Sequence, residues 1–133
     1  MAVPTPTTYS YQVGHHGVTI WNGLWAGTGE FTATILVNAS GLAEGYNDRL
    51  KIKRITVNCT AGISALVEFD ATANQLIVEH PIGNTGPLSL DFSMLPGGGL
   101  SKTAAGSTGD LVLTTLSAAA ADAIYIYVEW KTN

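Results

Sequence analysis

The chain has 133 residues, a formal net charge of −4 and only 12% charged side chains. That length makes one domain, which buries roughly two-thirds of its unfolded surface. Six Lys and Arg in all are too few for a nucleic-acid surface, which needs clustered cations, and no apolar run reaches the ~20 residues of a membrane-spanning helix.

With charge at about half the ~25% of an average soluble domain, the polar surface must come largely from the 16 threonines and from Ser, Asn and Gly. Such a surface is poorly protected against association, so an oligomer or a subunit of a larger assembly is expected. Cys59 is the only cysteine, which excludes an internal disulfide and a cysteine-based metal site. Its phase with Ile55 and Val57 makes it a small core hydrophobe. The start, MAVPTPTTYS, has neither the basic segment nor the apolar stretch of a secretory signal.

Residues 1–8 form an extended N-terminal arm. Val3, Pro4 and Pro6 lie in it, and the prolines fix φ and favour an extended path. The arm is either disordered or laid across a neighbour, and the domain proper is residues 9–133. Tyr9 to Val13 then alternates like a strand. In Val18–Trp25 the pair Asn22-Gly23 reads as a hairpin turn, since both residues tolerate positive φ. Phe31–Val37 alternates with Phe31, Ala33, Ile35 and Val37 inward, and residues 38–48 are loop.

The centre of the chain is Leu50–Asp70, two strand-like runs joined by Ala61-Gly62-Ile63-Ser64. In the second run Ala65, Val67 and Phe69 alternate cleanly. In the first, the apolar phase slips between Lys53 and Arg54: Leu50 and Ile52 lie on one phase, Ile55, Val57 and Cys59 on the other. A one-residue slip predicts a β-bulge or a bend. The two runs look like a long antiparallel pair turning the corner of a sandwich. Lys51, Lys53 and Arg54, with Arg49, read as solvated edge charges rather than a basic binding strip.

Further strands are predicted at Asn74–Glu79, at Leu88–Met94 with Leu88, Leu90, Phe92 and Met94 inward, at Asp110–Leu116, and at Ile124–Trp130. In the last, Ile124, Ile126, Val128 and Trp130 face one way and Tyr125, Tyr127 and Glu129 the other. Eight to ten short strands without helices predict an all-β, two-sheet antiparallel sandwich. The strand number and the bend favour a jelly roll; the alternative is an immunoglobulin-like sandwich.

No catalytic motif is specified. Gly97–Thr103 lacks the glycine before lysine and the helix of a phosphate-binding loop, and no nucleophile elbow is present. His15, His16 and His80 read as surface histidines rather than metal ligands. Glu68, Asp70, Glu79 and Asp91 have no spacing that fixes a carboxylate pair. The expectation is therefore no enzyme, no cofactor and no metal. Trp21 and Trp25 are either recognition surfaces, which stack on sugars or fill a partner's pocket, or plugs at one end of the core. Tyr9, Tyr11, Tyr125 and Tyr127 add amphipathic surface suited to an interface.

The run Leu50–Asp70, the turn Gly97-Gly98-Gly99-Leu100 and the ending AIYIYVEW (Ala123–Trp130) resemble small jelly-roll structural proteins of tailed bacteriophages, chiefly capsid decoration or cement proteins. The likeness covers about residues 30–133 and is one of strand pattern and composition. It implies a homo-oligomer, often a trimer, seated on the major capsid protein's lattice, in a virion assembled in the host cytoplasm. The arm (Val3, Pro4, Pro6) with Tyr9, Tyr11, Trp21 and Trp25 would supply partner contacts. The rival expectation is a carbohydrate- or receptor-binding module, such as a fibre tip, with Trp21 and Trp25 as its stacking platform.

Overall fold

The computed structural model describes residues 6–39, 42, 50–103 and 105–132. The domain is two antiparallel sheets packed face to face, with no α-helix among the described residues. Ten strands carry it: β1 (Thr7–Val13), β2 (His16–Leu24), β3 (Thr34–Val37), β4 (Lys51–Cys59), β5 (Ser64–Phe69), β6 (Gln75–His80), β7 (Leu88–Asp91), β8 (Leu100–Ser101), β9 (Leu111–Leu116) and β10 (Ala123–Lys131). The larger sheet has the order β1-β2-β10-β4-β7, with β8 also on β4; the smaller has the order β3-β9-β5-β6. Leaving β1 and β8 aside, the pairing is nested. β2 meets β10, β3 meets β9, β4 meets β7 and β5 meets β6.

The core follows from the period-2 pattern of the central strands. Ile124, Ile126, Val128 and Trp130 of β10 are buried beside Ile52, Ile55, Val57 and Cys59 of β4. Across the interface lie Ala65, Val67 and Phe69 of β5 and Leu111 and Leu113 of β9, all fully buried. Each large side chain contributes roughly 1.5–3 kcal/mol on burial. Ile52 and Ile55 both reach this core because β4 is bulged. Glu129 pairs with Arg54 and Trp130 with Ile52, so Lys53 has no partner on β10. The predicted slip is real. On the other side of β4 the same point separates β7, which ends opposite Arg54, from β8, which starts opposite Ile52.

Several expected details differ. β4 and β5 do not pair with each other: they lie in different sheets, and residues 60–63 carry the chain across. β4 is also interior, between β10 and β7, so Lys51, Lys53 and Arg54 are not edge charges. Asn22-Gly23 is not a turn. β2 runs straight through it, with Asn22 paired to Thr7 and Tyr125, and Gly23 buried against Ile124. A neighbour on both sides outweighs a local turn preference. The hairpin is instead Gly14-His15, where Gly14 takes φ 58°, the positive φ that the first position of a type II′ turn requires.

β3 begins only at Thr34, because Ala33 sits at φ 46°; Ile35 then points to solvent and Leu36 inward. β7 ends at Asp91 rather than Met94. Phe92 turns its N–H to Lys53 O (2.7 Å) and the chain leaves the sheet through two tight turns, leaving Met94 92% exposed. Thr7 and Thr8, assigned to the arm by sequence, are strand residues paired to Asn22 and Trp21. Val3 and Pro4 lie outside the described residues, and Pro6 is half-buried.

Candidate functional site

The surface with the most distinctive chemistry is the outer face of the larger sheet. Its register places Tyr9, Ile20, Tyr127, Thr56 and Ser89 in one cross-strand row, and Tyr11, Val18, Glu129, Arg54 and Asp91 in the next. Tyr125 lies a row further on, opposite Asn22 and Asn58. Four tyrosines, expected separately from two distant segments, therefore share one face. Tyr9 is 60% exposed, Tyr11 57% and Tyr125 37%, while Tyr127 is half-buried among them. All seven residues of β1 are exposed.

One flank of this face is ionic. Arg54 donates from Nε to Asp91 and from Nη1 to Glu129, both at 3.2 Å. Hydrogen bonds from Ser93, aided by Arg54, hold the Asp91 carboxyl down at about 2. The same two carboxylates raise Arg54. Burial, with Glu129 nearby, pushes the Tyr127 phenol up. Beside this cluster a shallow cavity of about 220 Å3 is walled by Tyr11, Val13, His16, Val18, Lys53 and Glu129, with Gly17 and Trp130 also lining it. Apolar walls ringed by a phenol, an ammonium and a carboxylate suit an inserted side chain with a polar tip.

Trp21 and Trp25 are not part of any surface. They are 2% and 1% exposed and stack edge-on to Phe31 at 4.8 and 5.4 Å. Trp25 donates its Nε1–H to Gly29 O at 2.7 Å. They plug the core, and neither offers a face to a sugar or a partner; the inward phase of β2 places Trp21, and the Trp25 N–H bond to Asp122 O (2.8 Å) fixes the next turn. Glu68 points outward from the smaller sheet and Asp91 outward from the larger, so these carboxylates diverge. Glu79 sits beside Leu66 on the adjacent strand of the same sheet as Glu68, not across a cleft from it. Among the described residues no three His, Cys, Asp or Glu converge as metal ligands. The Gly97-Gly98-Gly99 turn leads into a strand, β8, not a helix.

One pairing was invisible in the sequence. Cys59 is buried as expected, but its Sγ lies 3.0 Å from Nδ1 of His80, which is fully buried rather than on the surface. His80 Nε2 is 3.1 Å from Gly86 O, to which Asn84 Nδ2 also donates at 2.8 Å. Asn84 Nδ2 also lies 3.0 Å from His80 Nε2, so both ring nitrogens have polar neighbours inside the protein. Burial, and then the charge of Asp122, pushes the Cys59 thiol up to about 11. A reactive cysteine needs the opposite shift, so the role of the pair is to tie the two sheets together through a buried hydrogen bond. Compared with known protein families, characterised proteins and solved structures, the chain matches none.

Proposed function

We propose that the chain is a non-enzymatic virion structural protein, a capsid decoration or cement subunit that binds a phage head lattice as a homo-oligomer. The observation that carries the reading is the tyrosine-lined outer face of the larger sheet. A weakly charged domain that presents four tyrosines and three aliphatic side chains (Val13, Val18, Ile20) on one sheet face has the aromatic enrichment of a protein interface. We also infer that the sandwich is of the jelly-roll kind. The nested pairing of β2–β10, β3–β9, β4–β7 and β5–β6 supports this, since it is the order of one long hairpin rolled over itself. The resemblance of the strand pattern to phage decoration proteins points the same way, and the arm with Val3, Pro4 and Pro6 is proposed as a tether to the lattice.

The carbohydrate-binding alternative loses its named platform with Trp21 and Trp25 buried. Co-sedimentation of the purified protein with heads built of the major capsid protein tests the proposal. Saturable binding, with fewer bound copies when Tyr125 and Tyr127 are both changed to Ser, is the expected result. Heads that leave the protein in the supernatant at every concentration would overturn it.

A further inference from the structure

We propose that β1 pairs antiparallel with β1 of a second copy about a two-fold axis at Ser10, joining two larger sheets into one. This names how copies meet within the homo-oligomer proposed above and rests on that reading; its test is made on the free protein.

The argument starts from the sheet edges. A free edge is a template for another strand unless it is short, bulged, charged or covered. β3 has four residues, a register shift and Ala33 at positive φ beside it. β6 has a shift opposite Val67–Glu68 and carries Glu79. β7 has four residues and carries Asp91, and β8 has only two residues. β1 has none of these protections. It is seven residues of TTYSYQV, uncharged, in unbroken register with β2, and paired by no described residue on its far side.

The hydrogen-bond phase then fixes which groups are open. Val13 and His16 flank the two-residue turn and exchange hydrogen bonds, and in an antiparallel ladder every second residue repeats this. Tyr11, Tyr9 and Thr7 therefore bond to β2, while Thr8, Ser10 and Gln12 turn their N–H and C=O groups to the free edge. The sequence is symmetric about the middle of these three, Tyr9-Ser10-Tyr11. Placing the axis there pairs Ser10 with Ser10 of the second copy, and Thr8 with Gln12. Tyr9 then lies opposite Tyr11 of the second copy, in a non-hydrogen-bonded position where facing side chains come closest. The contact uses the same patch on both copies, as a two-fold interface must, and brings no like charges together.

Ser10→Pro removes an N–H that β2 does not use, a substitution that edge strands tolerate on their solvent side, together with the hydroxyl that lies 3.1 Å from Thr19 Oγ1. The expected result is a folded protein with unchanged circular dichroism and a melting temperature lowered by no more than a few degrees through loss of the Thr19 bond, whose mass by light scattering falls from dimer, or a multiple of it, to half that value. Ser10→Cys supplies the register test. Hydrogen-bonded antiparallel partners stand ~5.5 Å apart at Cα, within reach of a disulfide, and Cys59 is buried. Under mild oxidation Ser10→Cys should form a covalent dimer, whereas Tyr11→Cys alone should not and should link only when mixed with Tyr9→Cys. A wild-type protein that is monomeric at all concentrations, a trimer unaffected by Ser10→Pro, or a Ser10→Cys variant that fails to link would each overturn the inference. Should Ser10→Pro fail to fold, the linking pattern alone decides. Co-sedimentation reads head binding separately, so failure of the β1 contact and failure of lattice binding are distinguishable.

Discussion

Cys59 carries a pH dependence that follows from where its thiol lies. The folded thiol holds its proton up to about 11, whereas an unfolded one releases it near ~8.5. As pH rises the unfolded chain therefore loses its proton first, which favours unfolding. The stability this group contributes is full below the lower value and is lost as pH rises through the upper one. Cys59→Ala abolishes the titration and leaves His80 Nδ1 without its partner, costing about 1–3 kcal/mol at neutral pH. The stability gap between the two proteins should narrow across the alkaline window, read by urea unfolding on either side of it; parallel pH curves would refute this. Gly17 is the other sensitive position. It is buried opposite Trp130, and a Cβ there would occupy the space of the indole ring. Gly17→Ala should force the ring aside, break its Nε1–H bond to Thr19 Oγ1 (3.1 Å) and cost roughly 1–3 kcal/mol as overpacking does. The expected readout is a lower melting temperature with altered tryptophan fluorescence.

The bulge in β4 shows which features of an element are legible in sequence. Its slip appears in the apolar phase because both halves of the strand face one core, so Ile52 and Ile55 record the geometry directly. The same holds for β5 and β10, whose inward residues match their period. Asn22-Gly23 misleads because turn preference is local, while the pairing of β2 with β1 and β10 at once is not. Leu88–Met94 misleads for a related reason. Its alternation continues past the point where the chain must leave the sheet to pass the bulge, and no local signal marks that exit. Tyr9, Tyr11, Tyr125 and Tyr127 were identifiable as surface residues, but only the sheet order puts them on one face. Because Lys53 has no partner on β10, deleting it should keep Ile52 opposite Trp130 and Arg54 opposite Glu129. Loss of the Phe92 N–H bond to Lys53 O limits the cost to about 1–3 kcal/mol. Deleting Thr56 instead slips the first half of the strand by one residue and turns Ile52 and Ile55 outward. The first variant should melt cooperatively and the second should not fold. Equal behaviour of the two would show that the bulge does not absorb a residue.

At the scale of the whole molecule, the side chains that form the core are separate from those of the proposed contact face. The core between the sheets contains Trp21, Trp25, Phe69 and Trp130, and none of the four tyrosines on the outer face belongs to it. Changing Tyr125 and Tyr127 together to Ser should therefore leave most of the folding free energy intact. The expected stability loss is about 1 kcal/mol, mostly from Tyr127, which is half-buried between its cross-strand neighbours Ile20 and Thr56. Association is a different matter. An aromatic side chain buries ~150–250 Å2 in a full interface, and at ~25 cal/mol per Å2 even half of that is worth roughly 2–3 kcal/mol before ordering costs. Tyrosine loses little rotamer freedom on docking, so much of that gain survives as affinity. On a lattice, a subunit held at two or more points multiplies such a difference. The double variant should thus occupy heads at least about tenfold less well at equal concentration, the equivalent of ~1.4 kcal/mol, while its own melting temperature moves by only a few degrees. Ser10→Pro serves as the contrast, since it alters the strand edge and leaves this face unchanged. Full occupancy by the Tyr125/Tyr127 variant would remove the tyrosine face from the contact and, with it, the observation on which the proposed function rests.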